Sequence, residues 1–163
     1  MRQEVYDKMT GYIIENQNKF YRLAFSYAHN KEDALDIVQN AVCKALDHYE
    51  SLKNADALKT WFYRILVNES NYFLKKNNRE TAVGGEAYIE IPYYEPGYEP
   101  SGDLYDEINQ LEPDVQNIIK LRFFEELSLK EIAEVTDMNL NTVKAKLYRG
   151  LKLLRQNIEE ENL

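Results

Sequence analysis

The sequence predicts an all-α protein of two small helical domains, joined by a flexible acidic linker. Three observations carry this. Apolar residues recur at helical spacing over 12–76 and again over 104–154. Between the two stretches Gly84-Gly85, Pro92, Pro96, Gly97, Pro100 and Gly102 break regular structure. Charge is segregated in the same way: residues 1–79 carry 12 Lys/Arg and 10 Asp/Glu, residues 80–112 carry none and 9, and residues 113–163 carry 8 and 9. A chain of 163 residues suffices for one ordinary domain or two small helical ones. Its 44% apolar content supports real cores rather than global disorder.

In the first domain, placed at 1–79, Tyr12, Ile13, Phe20, Leu23, Ala24 and Tyr27 sit at helical spacing. Asn30 can cap a helix that opens Lys-Glu-Asp, with acids in the first turn where the helix dipole favours them. Along that helix Ala34, Val38, Ala41, Val42, Ala45 and Tyr49 form an apolar stripe, and Asp36, Gln39, Asn40, Cys43 and Asp47 form a polar one. Residues 51–57 read as a loop. A third helix, from about Leu58 to Lys76, is rich in aromatics: Trp61, Phe62, Tyr63, Tyr72 and Phe73. Residues 80–102, with Tyr88, Tyr93, Tyr94 and Tyr98 among glutamates, read as a linker, partly extended and able to order on a partner. A short β-hairpin beginning Ala87-Tyr-Ile-Glu-Ile is the alternative there. In the second domain, 103–163, Leu104, Ile108 and Leu111 form a stripe before Pro113, which suits the first turn of a helix running to about Phe124.

Residues 127–149 read as a helix, a tight turn and a second, basic helix. Ser128 and Glu131 fit a capping box, with Leu127 and Ile132 as its hydrophobic staple. Ala133 is small enough for two helices to cross closely, and Asp137 in the turn tolerates left-handed backbone. Val143 and Leu147 point back into the hairpin. Residues 139–155 hold Lys144, Lys146, Arg149, Lys152 and Arg155 and no acid. A helix-turn-helix lays its second helix in the major groove of DNA. Lys130, Asn141, Thr142, Lys144, Lys146, Tyr148 and Arg149 are the candidate contacts to base edges and phosphates. With a formal charge of −8, the chain is expected to draw much of its DNA affinity from elsewhere, such as a partner. On the third helix and the loop before it, Lys53, Asn54, Trp61, Tyr63, Arg64, Asn68, Tyr72 and Lys75 interleave rings and cations. Single-stranded nucleic acid needs that combination for stacking and for its backbone. Trp61, Phe62 and Ile65 also fit a core.

Asp33-Ala-Leu-Asp-Ile-Val-Gln39 resembles the region 2.2 motif of sigma factors. Thr60-Trp-Phe-Tyr-Arg-Ile65 with Asn68 resembles their regions 2.3 and 2.4, and Asn141–Arg149 resembles their region 4.2 recognition helix. Over 18–79 and 103–156, in this order and with no room for regions 1.1 or 3, the chain resembles the extracytoplasmic-function (ECF) sigma-70 factors. The Tyr–Glu-rich linker carries a weaker likeness to the SigV-like, envelope-stress class. The resemblance implies an RNA polymerase sigma factor directing promoter-specific initiation. Leu35, Asp36, Gln39 and Asn40 would bind core polymerase at the β′ coiled coil, and the second domain would meet the β flap. The loop and aromatic helix would melt and hold the −10 element, one base flipped into a pocket in that loop. The helix-turn-helix would read the −35 duplex, and a membrane-bound anti-sigma factor would hold the protein inactive. Family members often have Glu at positions 35 and 40, Arg at 144 and 146, and Asp at 72; here these are Leu35, Asn40, Lys144, Lys146 and Tyr72. Lys lacks the bidentate fork of Arg, which favours phosphate over base contact.

A stand-alone helix-turn-helix regulator with a helical sensor or dimerisation domain is the alternative, and it would bind a duplex tightly unaided. Catalysis is not expected. His29 and His48 have no metal-ligand spacing, Gly84-Gly85 lacks the Lys and helix of a phosphate loop, and neither metal nor cofactor is implied. Cys43 is the single cysteine, so no internal disulfide can form. No run of eighteen apolar residues and no secretory pattern occurs. The expected location is the cytoplasm, with membrane association only through a partner and no direct insertion.

Overall fold

The computed structural model describes residues 2–84 and 102–161. Among these, all regular structure is helical: α1 Arg2–Glu15, α2 Gln17–Ala28, α3 Lys31–His48, α4 Leu58–Gly84, α5 Gly102–Asn109, α6 Pro113–Ile119, α7 Leu129–Thr136 and α8 Leu140–Glu161. Two compact units, Met1–Tyr93 and Tyr94–Leu163, divide within the segment read as a linker. The helix α4 runs on to Gly84, past the expected end near Lys76. The extended linker and its hairpin alternative otherwise lie outside the described residues.

In the first unit the residues at helical spacing from Tyr12 to Tyr27 fall on two helices, α1 and α2. Asn16 leaves helical geometry (φ −109°, ψ 11°), and its Nδ2 donates to the Tyr12 carbonyl at 2.8 Å, so α1 ends and α2 begins around it. The end of α2 is set by His29 in left-handed backbone, φ 63°. Asn30 then caps α3 as expected: its side chain accepts from the Asp33 amide at 2.9 Å and donates to the Asp33 carboxylate at 2.6 Å. The buried face of α3 is Ala34, Ile37, Ala41 and Ala45. It is rotated from the expected stripe, leaving Val38 and Val42 half-buried. Small side chains here let α3 approach α2 and α4 closely, and the space is filled from those helices by Phe20, Leu23, Tyr27, Phe62, Tyr63 and Leu66. Lys44 of α3 pairs with the buried Glu69 of α4.

In the second unit Ile108, Val115, Ile118, Ile119, Leu121, Ile132, Val135, Val143, Leu147 and Leu154 converge. The helix expected to run from Pro113 to Phe124 changes at Lys120 into a π turn, Lys120–Phe124, closed by the Glu125 amide on the Lys120 carbonyl at 3.3 Å. Gly150 faces α6 so closely that an added Cβ would stand 2.5 Å from Val115 Cγ1 and 3.0 Å from Ile119 Cδ1. Gly150→Ala gains about 1 kcal/mol of helix propensity. It also drives apart two stiff β-branched side chains, at about 1–3 kcal/mol. The expected net result is a second unit less stable by about 1 kcal/mol, read as faster amide exchange in α6 and α8. Unchanged or slower exchange would contradict it.

Lys120 is 0% exposed, and its Nζ donates to Asn109 Oδ1 at 3.3 Å. Burial lowers its ammonium pKa from 10.5 to about 7. Between those two values the unfolded chain binds the additional proton, so stability rises with pH from about 7 toward 10. Below about pH 7 the cost of charging the buried amine is present in full. Lys120→Met should abolish this part of the pH dependence. Denaturant midpoints of the second unit at pH 7 and pH 9 should rise in the unsubstituted protein and differ little in the variant.

Candidate nucleic-acid interface

The helix-turn-helix is built by local capping. Ser128 Oγ accepts from the Glu131 amide at 3.1 Å, and Glu131 Oε1 accepts from the Ser128 amide at 2.9 Å, which completes the capping box that starts α7. Leu127 and Ile132 are both buried beside it. The turn follows from Asp137 in left-handed backbone, φ 55°, its amide on the Ala133 carbonyl. Asn139 Oδ1 then accepts from the Asn141 amide at 2.8 Å and starts α8. Val143 and Leu147 face the core, as the spacing predicts.

At 100° per residue, burial of Val143, Leu147, Gly150 and Leu154 turns Asn141, Lys144, Tyr148, Lys152 and Arg155 outward. All five are exposed, Tyr148 by 66%. Thr142 and Lys130 are exposed too. Lys146 and Arg149 lie to the side of this stripe. Lys146 Nζ is 3.0 Å from Asp114 Oδ2, and Arg149 is 3.5 Å from Glu112 Oε2. The acid-free helix of the sequence is therefore not acid-free in space.

In the first unit a second stripe is set by the same geometry. Trp61, Arg64, Asn68, Tyr72 and Lys75 share one face of α4, the last four exposed and Trp61 half-buried. Tyr72 is 64% exposed and stands with these candidate contacts. Its spacing of four from Asn68 is the signal. Tyr63 is the reverse case. Two residues from Trp61 it points to the far side of the helix, is 1% exposed and stacks edge-on to Phe20 at 5.4 Å. Its assignment to the nucleic-acid face is corrected: the ring belongs to the core.

The loop before α4 contains two 3₁₀ turns, Tyr49–Ser51 and Ala55–Ala57. Leu52 anchors it in the core. Asn54 Oδ1 accepts from the Asp56 amide at 3.0 Å, so this candidate contact also shapes the loop. Lys53 lines an open cleft of about 330 Å³ together with Glu4, Lys8, Tyr49, Glu50 and Leu52. The contribution of α1 to that cleft was not legible in the sequence, since no spacing links residues 4–8 to residues 49–55. On α3, Leu35, Asp36, Gln39 and Asn40 are all exposed along one face, with Leu35 at 47% an apolar member. Cys43 lies on the same face and is free. Among the described residues no group of His, Cys, Asp and Glu is placed to hold a metal.

Residues 13–80 match the family model of sigma-70 region 2, and residues 101–154 match that of sigma-70 region 4. The RNA polymerase sigma factor SigV of Bacillus subtilis is 42% identical over 151 residues, covering 93% of this chain and 91% of its own length. The ECF RNA polymerase sigma-E factor of Haemophilus influenzae is 30% identical over 162 residues, covering 90% and 85%. Among solved structures, the sigma factor RpoE bound to the anti-sigma factor NepR from Bartonella quintana superposes with a TM-score of 0.77. It is 22% identical and covers 92% of this chain and 96% of its own. CnrH in complex with the cytosolic domain of CnrY gives a TM-score of 0.67 at 16% identity, covering 98% and 97%. At these identities the two structures speak for the fold.

Proposed function

The chain belongs to the sigma-70 family, as an ECF sigma factor that directs transcription initiation, and from that premise we propose how its surfaces divide the work. The observation that carries the proposal is the pair of outward stripes: aromatic and cationic on α4, basic with Tyr148 on α8. The α4 stripe and the Lys53–Asn54 loop hold melted −10 DNA. Trp61 and Tyr72 offer ring faces, and Arg64 and Lys75 offer charge to the backbone. The cleft beside Lys53 is the candidate receptor for an unstacked base. On α8, Asn141, Thr142, Lys144 and Tyr148 meet the −35 duplex, with Lys130 of α7 on a phosphate. Leu35, Asp36, Gln39 and Asn40 on α3 bind core RNA polymerase. The polymerase supplies the phosphate contacts that an acidic chain lacks.

An anti-sigma factor is proposed as the regulator, since both solved neighbours are described in complexes, one with an anti-sigma factor by name. Among the described residues no helix is long and apolar enough to cross a membrane. Any membrane association is accordingly assigned to that partner. The alternative of a stand-alone regulator is not favoured, because the region 2 match occupies the domain it would need as a sensor. The test is run-off transcription from a genomic promoter library by core polymerase, with and without this protein. Promoter-specific transcripts should appear only with it. No stimulation at any promoter would overturn the proposal.

A further inference from the structure

The flank of α8 carries an arrangement that reading DNA does not require. Of the cations on this helix, Lys144 and Lys152 face outward with no acidic partner among the described residues, whereas Lys146 and Arg149 are each met by a carboxylate from the chain around Pro113. The partners, Asp114 and Glu112, flank that proline, 32 and 37 residues earlier in sequence. Both pairs are at the surface: Asp114 and Glu112 are 55% and 71% exposed, Lys146 and Arg149 25% and 57%. Exposed pairs of this kind are weak and exchange readily with other anions. A carboxylate on a lysine or arginine occupies the position that a DNA phosphate would take.

We propose that Glu112 and Asp114 are internal stand-ins for phosphate. They occupy Lys146 and Arg149 and so restrain the recognition helix from binding duplex DNA of arbitrary sequence. Non-specific affinity follows the number of phosphates neutralised. With two lateral cations engaged internally, the outward stripe is left to read base edges while backbone attraction is kept low. The proposal rests on the reading of α8 as a duplex reader.

The test uses the full chain and a fluorescent duplex of random sequence, titrated across a range of salt concentrations. Asp114→Asn with Glu112→Gln should bind about three- to tenfold more tightly, with a salt slope steeper by about 1 to 2. Lys146→Ala should cancel part of the gain in the double variant. Asp106→Asn, an exposed acid on α5, controls for the loss of one negative charge, half that of the double variant, and should leave the slope unchanged. A double variant with unchanged or weaker binding, or a gain equalled by Asp106→Asn, would overturn the proposal. If Lys144→Ala weakens binding while the double variant does nothing, only this proposal falls. If no variant, Lys144→Ala included, alters duplex binding, the reading of α8 itself falls and takes this one with it.

Discussion

Asp36→Arg is expected to lower affinity for core RNA polymerase by about a hundredfold or more while leaving the fold of the first unit intact. Asp36 is exposed in the middle of α3, past the first turn, on the face shared with Leu35, Gln39 and Asn40. The opposite face, Ala34, Ile37, Ala41 and Ala45, holds the helix in the domain. An exposed change of this kind usually alters stability by no more than about 0.5 kcal/mol. Reversing a charge within an interface costs more, about 2–5 kcal/mol when its partner is left buried and unpaired. The two effects are read separately: binding to immobilised core enzyme, and a denaturant melt of the free protein. Unchanged core affinity would remove Asp36 from the interface. A lowered melting midpoint would show that the residue serves the fold.

Phe20→Ala is expected to destabilise the first unit by about 3–5 kcal/mol. The Phe20 ring is fully buried, with ring centroids of Phe62, Tyr63 and Tyr12 at 4.6, 5.4 and 5.7 Å. It joins α1, α2 and α4, and its removal leaves a cavity that three rigid rings close poorly. Aromatic contacts of this geometry add about 0.5–1.5 kcal/mol each beyond area burial. Against a typical domain stability of about 5–15 kcal/mol, the variant unit sits close to unfolding at ambient temperature. The chain has one tryptophan, Trp61 on α4, so its fluorescence in a urea titration reports this unit directly. A loss under about 1 kcal/mol would show that neighbouring side chains refill the space.

These expectations start from different levels of legibility. The caps were readable because they are local: Asn30 with Asp33, Ser128 with Glu131, and Asp137 in left-handed backbone involve residues no more than four apart, and their chemistry operates wherever the chain folds. The face of a helix was readable only where the period was followed residue by residue. Asn68 and Tyr72 share the outward stripe by spacing, whereas grouping Tyr63 with Trp61 as an aromatic cluster ignored the 200° between them. Composition alone does not separate a ring that stacks on Phe20 from one that faces solvent.

By itself the sequence determined an all-helical chain in two parts, the start of α3 and of α7, the turn before α8, and part of each outward stripe. Each depends on period, propensity or capping, which act over a few residues. Only the tertiary structure decided the rest. It buried Lys120 in the second core, where desolvation pulls its pKa to about 7, although a lysine in sequence reads as surface charge. It turned Tyr63 inward, brought α1 against the loop at Lys53, and set Glu112 and Asp114 beside Arg149 and Lys146. Charge and burial are properties of neighbours in space. Residues more than thirty positions apart become neighbours only once α6 and α8 have packed.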